Sequence, residues 1–441
     1  MAFFQNKFCN PKLIKSELDA FVMEQDKGTR IIASAIAQHL IQAERGDQGQ
    51  TDNILLIGPT GCGKTETFRR LQRLETQFCI PVGLYNVMDY SGSKSWIGNN
   101  CITSIFEDVF LHAGDIYYAE HDDSEPVDIQ KREITKIANR AIIFLDEFDK
   151  ICLQGDGRAR NFLHDYQSNL LKIIEGNTYS LNGFSRDRIN EKGEEETINI
   201  DDVTIDTTHM LFVLLGAFSG IECITLRRLE QERQRKELRN TPRHILYQDT
   251  SLGFLVAPRH HDDGPKKITY TYEQMIPSTD DIVQYGFLRE LIGRLPIRAV
   301  YRPLSSKALV NIMLNARTSA YREYQHRFEQ IGMGLRCDLA GLREIARIAT
   351  ERGTGARGLI SVFSEILSDA WYDLAGDNRH IRVLLRGRDI KAGKPPLLHD
   401  RTMLVHKRWL LKRQQYFKKV EEKRKERETK KKAESNNDSA F

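Results

Sequence analysis

Short, wholly apolar runs alternate along the chain with longer stretches in which apolar residues recur every three or four positions. Ile54-Leu55-Leu56-Ile57, the run from Pro81 to Asn86, Ala141-Ile142-Ile143-Phe144-Leu145 and the run from Met210 to Leu215 carry no in-out alternation. That pattern belongs to strands buried on both faces rather than to half-solvated ones. A helical pattern runs from about Leu18 to Leu40, and further helical patterns separate the apolar runs. Strands and helices in turn predict an α/β domain in three layers, with a parallel sheet in the middle.

The same pattern predicts the boundaries. Residues 1–15 read as a short leader and 16–300 as a large domain. Two polar stretches interrupt that domain, 177–208 and 227–281, and both read as long loops or hairpins. After Arg302-Pro303 the periodicity turns helical, from Leu309 to Phe328, Leu339 to Thr350 and Ala356 to Leu374. This predicts a smaller, mainly α-helical domain over 301–392. A brief β-like piece from Ile381 precedes Lys394-Pro395-Pro396, and 393–441 is expected to be a tail.

The chemistry is densest just after the first apolar run. Gly58-Pro59-Thr60-Gly61-Cys62-Gly63-Lys64-Thr65 fits the phosphate-binding loop pattern, with a strand before it and helix-compatible sequence after it. Glycines let backbone N–H groups curl around a phosphate, and the next helix aims its positive end at the same place. Lys64 is expected to reach the β- and γ-phosphates of ATP, and the Thr65 hydroxyl to bind Mg²⁺. The third apolar run ends in Asp146-Glu147. An acid at the end of a buried strand beside such a loop can hold Mg²⁺, and its neighbour can deprotonate the attacking water. Asp146 is therefore assigned to the metal and Glu147 to the base.

Composition narrows the setting. The net charge of +4 conceals a basic end: residues 401–432 hold 14 Lys or Arg against 4 Glu, which leaves the rest of the chain at −6. Seven scattered cysteines form no Cys-x-x-Cys pair, which speaks against zinc and a disulfide framework and for a reducing cytoplasm. No apolar run is long enough for a membrane span, and the first residues do not read as a signal peptide.

Asp146-Glu147-Phe148-Asp149-Lys150 resembles the Walker B signature of the Clp branch of AAA+ ATPases, and further stretches resemble its ClpX-like unfoldases. Leu18 to Gln25 resembles the adenine-pocket segment, which implies that Val22 and Met23 pack the base; Glu24 stands where the family has glycine. Leu170 to Gly176 is similar to the helix after Walker B, and Leu215 to Gly220 to the sensor-1 strand exit. Leu291-Ile292-Gly293-Arg294-Leu295-Pro296 resembles the arginine-finger helix, and Gly355-Ala356-Arg357-Gly358-Leu359 the sensor-2 motif. That resemblance implies that Arg294 acts in trans in a homo-oligomeric, hexameric ring, while Arg357 senses nucleotide bound to its own large domain. A guanidinium at a γ-phosphoryl transition state lowers the barrier by several kcal/mol.

The resemblance also implies what the ring does. Ser95-Trp96-Ile97-Gly98 lies where the family has its pore loop, so Trp96 and Ile97 would grip polypeptide substrates. A Trp packed in the core is the competing reading. Leu252-Gly253-Phe254 resembles the tripeptide that docks such unfoldases onto a ClpP-like peptidase, although a plain strand also fits. The segment 177–202, at the place of the family's basic entrance loop, is mixed in charge, and the family's zinc-binding module is expected to be absent. No peptidase motif occurs in the chain. The expectation is an ATP-driven unfoldase and translocase. Two alternatives stand beside it: remodelling of nucleic-acid complexes through the basic tail, or a chaperone or scaffold that works without a peptidase.

Overall fold

The computed structural model describes residues 6–46, 49, 51–90, 104–121, 126–153, 157–181, 184–189, 195–200, 203–240, 275–374 and 380–400. They fall into two compact units, Met1–Pro303 and Leu304–Phe441.

The first unit opens with α1 (Pro11–Asp19) and α2 (Asp26–Arg45), followed by β1 (Ile54–Ile57), α3 (Lys64–Gln72), the short α4 (Glu75–Phe78) and β2 (Val82–Asn86). Then come α5 (Ser104–Glu120), α6 (Val127–Ala138), β3 (Ile142–Asp146) and α7 (Arg158–Glu175). Four short strands follow, β4 (Thr178–Leu181), β5 (Phe184–Ile189), β6 (Glu195–Ile200) and β7 (Val203–Asp206). The unit continues with β8 (Leu211–Gly216), α8 (Ile221–Asn240), α9 (Thr279–Tyr285), α10 (Arg289–Gly293) and β9 (Ile297–Val300).

The sheet has the order β2-β3-β8-β1-β9, and every pair is parallel. Its strands divide their side chains between two cores, as a period of two requires. Leu55, Ile57, Ile143, Leu145, Phe212 and Leu214 face one core, with residues of α5, α6, α7, α9 and α10. Ile54, Leu56, Ile142, Phe144, Leu211, Val213 and Leu215 face the other, with α1, α2 and α3. This is the three-layer parallel α/β sheet expected from the unalternating apolar runs. The edge strand β9 went unforeseen, because Ile297-Arg298-Ala299-Val300 is short and contains a charge. Arg298 is accommodated by donating to the Pro277 carbonyl at 3.0 Å and to the Thr279 hydroxyl.

The stretch 177–208 is built as two antiparallel ribbons, β4 with β7 and β5 with β6, so its polar composition belongs to hairpins. The start of the other polar stretch, up to Asn240, continues α8 as an Arg- and Glu-rich helix. Residues 241–274 lie outside the described set.

The second unit packs α11 (Ser306–Asn315), α12 (Ala320–Gln330), α13 (Leu339–Glu351) and α14 (Gly355–Leu374) around Phe328, Ile345, Phe363 and Leu367. A three-stranded sheet of β10 (Gly334–Cys337), β11 (His380–Leu385) and β12 (Leu397–Asp400) completes it, with α15 (Gly387–Lys391) between the last two strands. The mainly helical lid expected from the sequence is therefore present. Residues 397–400, expected in the tail, instead pair antiparallel with β11, because Lys394-Pro395-Pro396 only turns the chain back.

His39 of α2 is buried at the N-terminal edge of the main sheet, where its Nε2 meets the Arg140 carbonyl at 2.7 Å. Burial pushes this imidazole down to about 4, against the opposing effect of that hydrogen bond. The unfolded chain then takes up a proton that the native ring refuses. Stability is whole above about pH 6.5 and is expected to fall by about 3 kcal/mol as the pH drops towards 4. His39→Gln keeps a donor for Arg140 and removes the titration, so it should flatten that part of the decline. Urea midpoints measured between pH 7 and pH 4 check this; an equal decline in both proteins would refute it.

Candidate nucleotide-hydrolysis site

The phosphate-binding loop leaves the C-terminal end of β1 and enters α3 at Lys64. Gly61 and Gly63 have φ of 75° and 109°, a left-handed backbone that glycine adopts without strain. A Cβ on Gly58 would lie 2.8 Å from Tyr301 Cβ and 3.0 Å from Cys62 Sγ, so this glycine is demanded by contact rather than by φ. Lys64 Nζ donates to the carbonyls of Gly58 and Pro59, the latter at 3.0 Å, which curls the ammonium over the loop. The first main-chain bond of α3 runs from Thr67 N to Gly63 O at 2.9 Å. Its N-terminal turn thus faces the loop with the positive end of the helix dipole.

The acidic pair lies one strand away. Asp146 closes β3 and is half-buried, while Glu147 is exposed and has φ of 59°. A left-handed conformation costs a residue with a Cβ about 1–2 kcal/mol. Here it is held from both sides. Glu147 N donates to Asp146 Oδ1 at 2.8 Å, and the 3-10 turn Phe148–Ile151 that follows is wholly packed on one side. Asp149 is buried, and its Oδ1 accepts from Ala217 N at 3.0 Å. Phe148 packs on Phe287, with ring centroids 4.7 Å apart, and Phe218 closes the cluster at 5.6 Å from Phe287.

Strand β8 joins the loop and the acids, since it lies between β1 and β3. Gly216 O accepts from Gly58 N at 3.2 Å, while the next residue, Ala217, donates to Asp149. The sensor-1 exit is thereby attached to both halves of the site. Thr65, in the first turn of α3, and Asp146 are half-buried. A hydroxyl and a carboxylate are hard oxygen donors of the kind that suit Mg²⁺. Among the described residues no group of three or more His, Cys, Asp or Glu could hold a metal on its own. A cation that takes most of its ligands from phosphate and water fits such a set.

The adenine-pocket segment sits against the loop. Val22 is buried, and its Cγ1 lies 3.1 Å from where a Cβ of Gly63 would be; Met23 is half-buried. Glu24 has φ of 64°, so the position that the family fills with glycine keeps a glycine conformation here. Gln25 is buried and holds three strands of chain together. Its Nε2 donates to Arg302 O at 2.9 Å and to Cys62 O at 3.3 Å, and its Oε1 accepts from Arg302 N at 2.7 Å. Lys15 bridges Asp19 and Asp26, and Thr29 donates to Asp19 at 2.9 Å, which fixes the two helices flanking the turn.

Arg294 lies away from the loop. Arg294 follows α10, and its carbonyl accepts from Asn53 Nδ2 at 3.3 Å. Asn53 immediately precedes β1, so Arg294 sits at the N-terminal edge of the sheet, whereas the phosphate loop leaves the C-terminal edge. Five residues of extended chain separate these edges by about 17 Å. The Arg294 guanidinium is exposed and pairs with Glu175 at the end of α7, at 2.8 Å. Arg357 is exposed in the first turn of α14, within the second unit. Gly358 beside it is buried, and a Cβ there would lie 1.9 Å from Thr354 Oγ1.

Trp96, Ile97, Leu252, Gly253, Phe254 and the basic tail lie outside the described residues. The described chain leads up to Trp96 through Val87, whose carbonyl accepts from Tyr166 of α7 at 2.8 Å. Sequence reasoning missed Gln25, Asp149, Gln167 and Tyr301 as site-building residues. Asp149 and Gln25 lay inside quoted motifs, but a polar side chain carries no sign of which distant backbone group it will bind. Tyr301 reads as one more apolar residue, yet its hydroxyl meets Thr67 at 2.7 Å beneath the loop.

The family model described as an AAA domain (Cdc48 subfamily) matches residues 50–298. The chain is similar to the ATP-dependent Clp protease ATP-binding subunit ClpX of Borrelia duttonii, with 24% identity over 384 residues, 85% of this chain and 77% of that protein. It is also similar to the subunit of that name from Treponema denticola, with 27% identity over 372 residues, 82% of this chain and 77% of the relative.

Strain at Glu24 predicts that Glu24→Gly stabilises the chain by about 0.5–1 kcal/mol, the relief of φ less the extra freedom of glycine in the unfolded state. Chemical denaturation of both proteins measures it. A loss of stability would show that contacts of the Glu24 side chain outweigh its backbone.

Proposed function

This chain belongs to the AAA domain (Cdc48 subfamily) family, is a ClpX-like AAA+ ATPase, and on that premise we propose that it unfolds and translocates polypeptides at the expense of ATP. Phosphate binding falls to the loop from Gly58 to Thr65, with Lys64 neutralising the β- and γ-phosphates and Val22 and Met23 packing the base. Glu147 takes the proton of the attacking water. Thr65 and Asp146 would hold Mg²⁺, which when bound neutralises charge building up on the phosphates.

The observation that carries this reading is the position of Gly58, Gly216 and Asp146 at neighbouring strand ends, with Glu147 next in line. The location of Arg294 at the opposite edge favours action in trans. An arginine so far from its own loop serves a nucleotide only on a neighbouring copy, which fits a ring, in this reading a hexamer. Trp96 and Ile97 would grip the polypeptide in the pore. Leu252, Gly253 and Phe254 would dock a ClpP-like peptidase, and Arg357 would sense nucleotide from the lid. The reading places the protein in the cytoplasm; among the described residues, no helix is long and apolar enough to cross a membrane.

Lys64→Ala should abolish ATP binding. Glu147→Gln should bind ATP and lower turnover at least about a hundredfold, the usual worth of a positioned base. Equilibrium binding and steady-state hydrolysis separate the two effects, and undiminished hydrolysis by Glu147→Gln would remove the base from Glu147. Trp96→Ala should hydrolyse ATP yet fail to unfold a fluorescent model substrate; unfolding at the normal rate would rule out the pore role.

A further inference from the structure

Among the described side chains of helix α7, one polar group is fully buried, Gln167, at a depth where a helix ordinarily carries leucine. Both ends of its amide are used. Nε2 donates to Ile151 O at 2.7 Å and to Gly286 O at 3.2 Å, and Oε1 accepts from Leu288 N at 2.9 Å. Ile151 ends the 3-10 turn that begins next to Glu147, and Leu288 is the N-cap residue of α10. The chain just past that turn is tied as well, by Leu153 N donating to Gly286 O at 2.8 Å. Two turns further along α7, Glu175 ends the helix and takes both Nε and Nη2 of Arg294, at 3.0 and 2.8 Å. One helix therefore grips the short α10 at its start and grips the arginine just past its end.

A surface ion pair such as Glu175–Arg294 contributes little to stability, about 0–1 kcal/mol at most. A five-residue helix also has little rigidity of its own. The precision with which the guanidinium is presented must then come from what surrounds α10: Asn53 holds the Arg294 carbonyl, and the side-chain bonds to the start of α10 and to the guanidinium lead to α7. We propose that Gln167 and Glu175 are positioning residues that aim Arg294, and that through Ile151 they link the turn beside this chain's own Glu147 to the arginine it offers a neighbour. This rests on the arginine-finger reading of Arg294. Neither residue touches nucleotide in it; both act through the guanidinium. Gln167 has to be an amide because the site asks for donors and an acceptor from one uncharged side chain.

A double-mutant cycle on the full chain tests this, with the turnover number for ATP as the readout and the affinity for a fluorescent ATP analogue as the control. Arg294→Ala is expected to lower turnover at least about a hundredfold. Gln167→Met, similar in length but without hydrogen bonds, and Glu175→Ala are each expected to lower it about tenfold, as a misaimed group does, with analogue affinity unchanged. Combined with Arg294→Ala, neither should lower turnover further. If the losses multiply, or if neither single variant changes turnover, the positioning role is wrong. If Arg294→Ala itself turns over normally, the finger reading falls, and the positioning role with it. Should Gln167→Met fail to fold, the exposed Glu175→Ala decides alone by the same criterion.

Discussion

Parallel insertion of β8 between β1 and β3 is the constraint on which the rest of the molecule depends. Hydrogen bonding in that order brings three strand ends into one row, those of the phosphate loop, the sensor-1 exit and the acidic pair. Parallel strands demand crossover connections, and those connections supply the helical layers that bury both faces of the sheet. The hydrogen bonds of the site run along that row. Gly58 bonds Gly216, Ala217 bonds Asp149, and Glu147 is held left-handed between them.

The site is stiff where it must hold a phosphate and strained where it must do chemistry. Glycine occupies Gly61 and Gly63 because the loop needs φ above zero there. Glu147 and Phe218 adopt the same region without being glycine, and each is held there by neighbours. Buried aromatic rings of Phe148, Phe218 and Phe287 form the packing that makes this tolerable. Backbone strain at such positions is common at functional sites, where surrounding structure over-determines it.

Glu24 shows the same rule with a different outcome. The family places glycine at this point of the adenine-pocket segment, and the chain here retains the backbone while changing the residue. Its flanks are unusually well tied, by Gln25 to the phosphate loop and by the Lys15, Asp19 and Asp26 cluster across α1 and α2.

Sequence alone determined the parallel α/β unit, the helical lid and the local motifs at Gly58 to Thr65 and Asp146-Glu147. Such features are local: unalternating apolar runs mark doubly buried strands, and a phosphate loop is built from consecutive residues. The edge strand Ile297–Val300 and the strand Leu397–Asp400 were illegible: the first carries Arg298 and gains its partner from Ile54–Ile57 far along the chain, and the second follows directly on Lys394-Pro395-Pro396, which reads as the end of a fold. The same holds for Gln25, Asp149 and Gln167, whose hydrogen bonds join segments up to 277 residues apart. Only the tertiary structure decided that Arg294 lies at the opposite sheet edge from the loop. Strand direction and strand order, not residue identity, set which end of the sheet a side chain reaches.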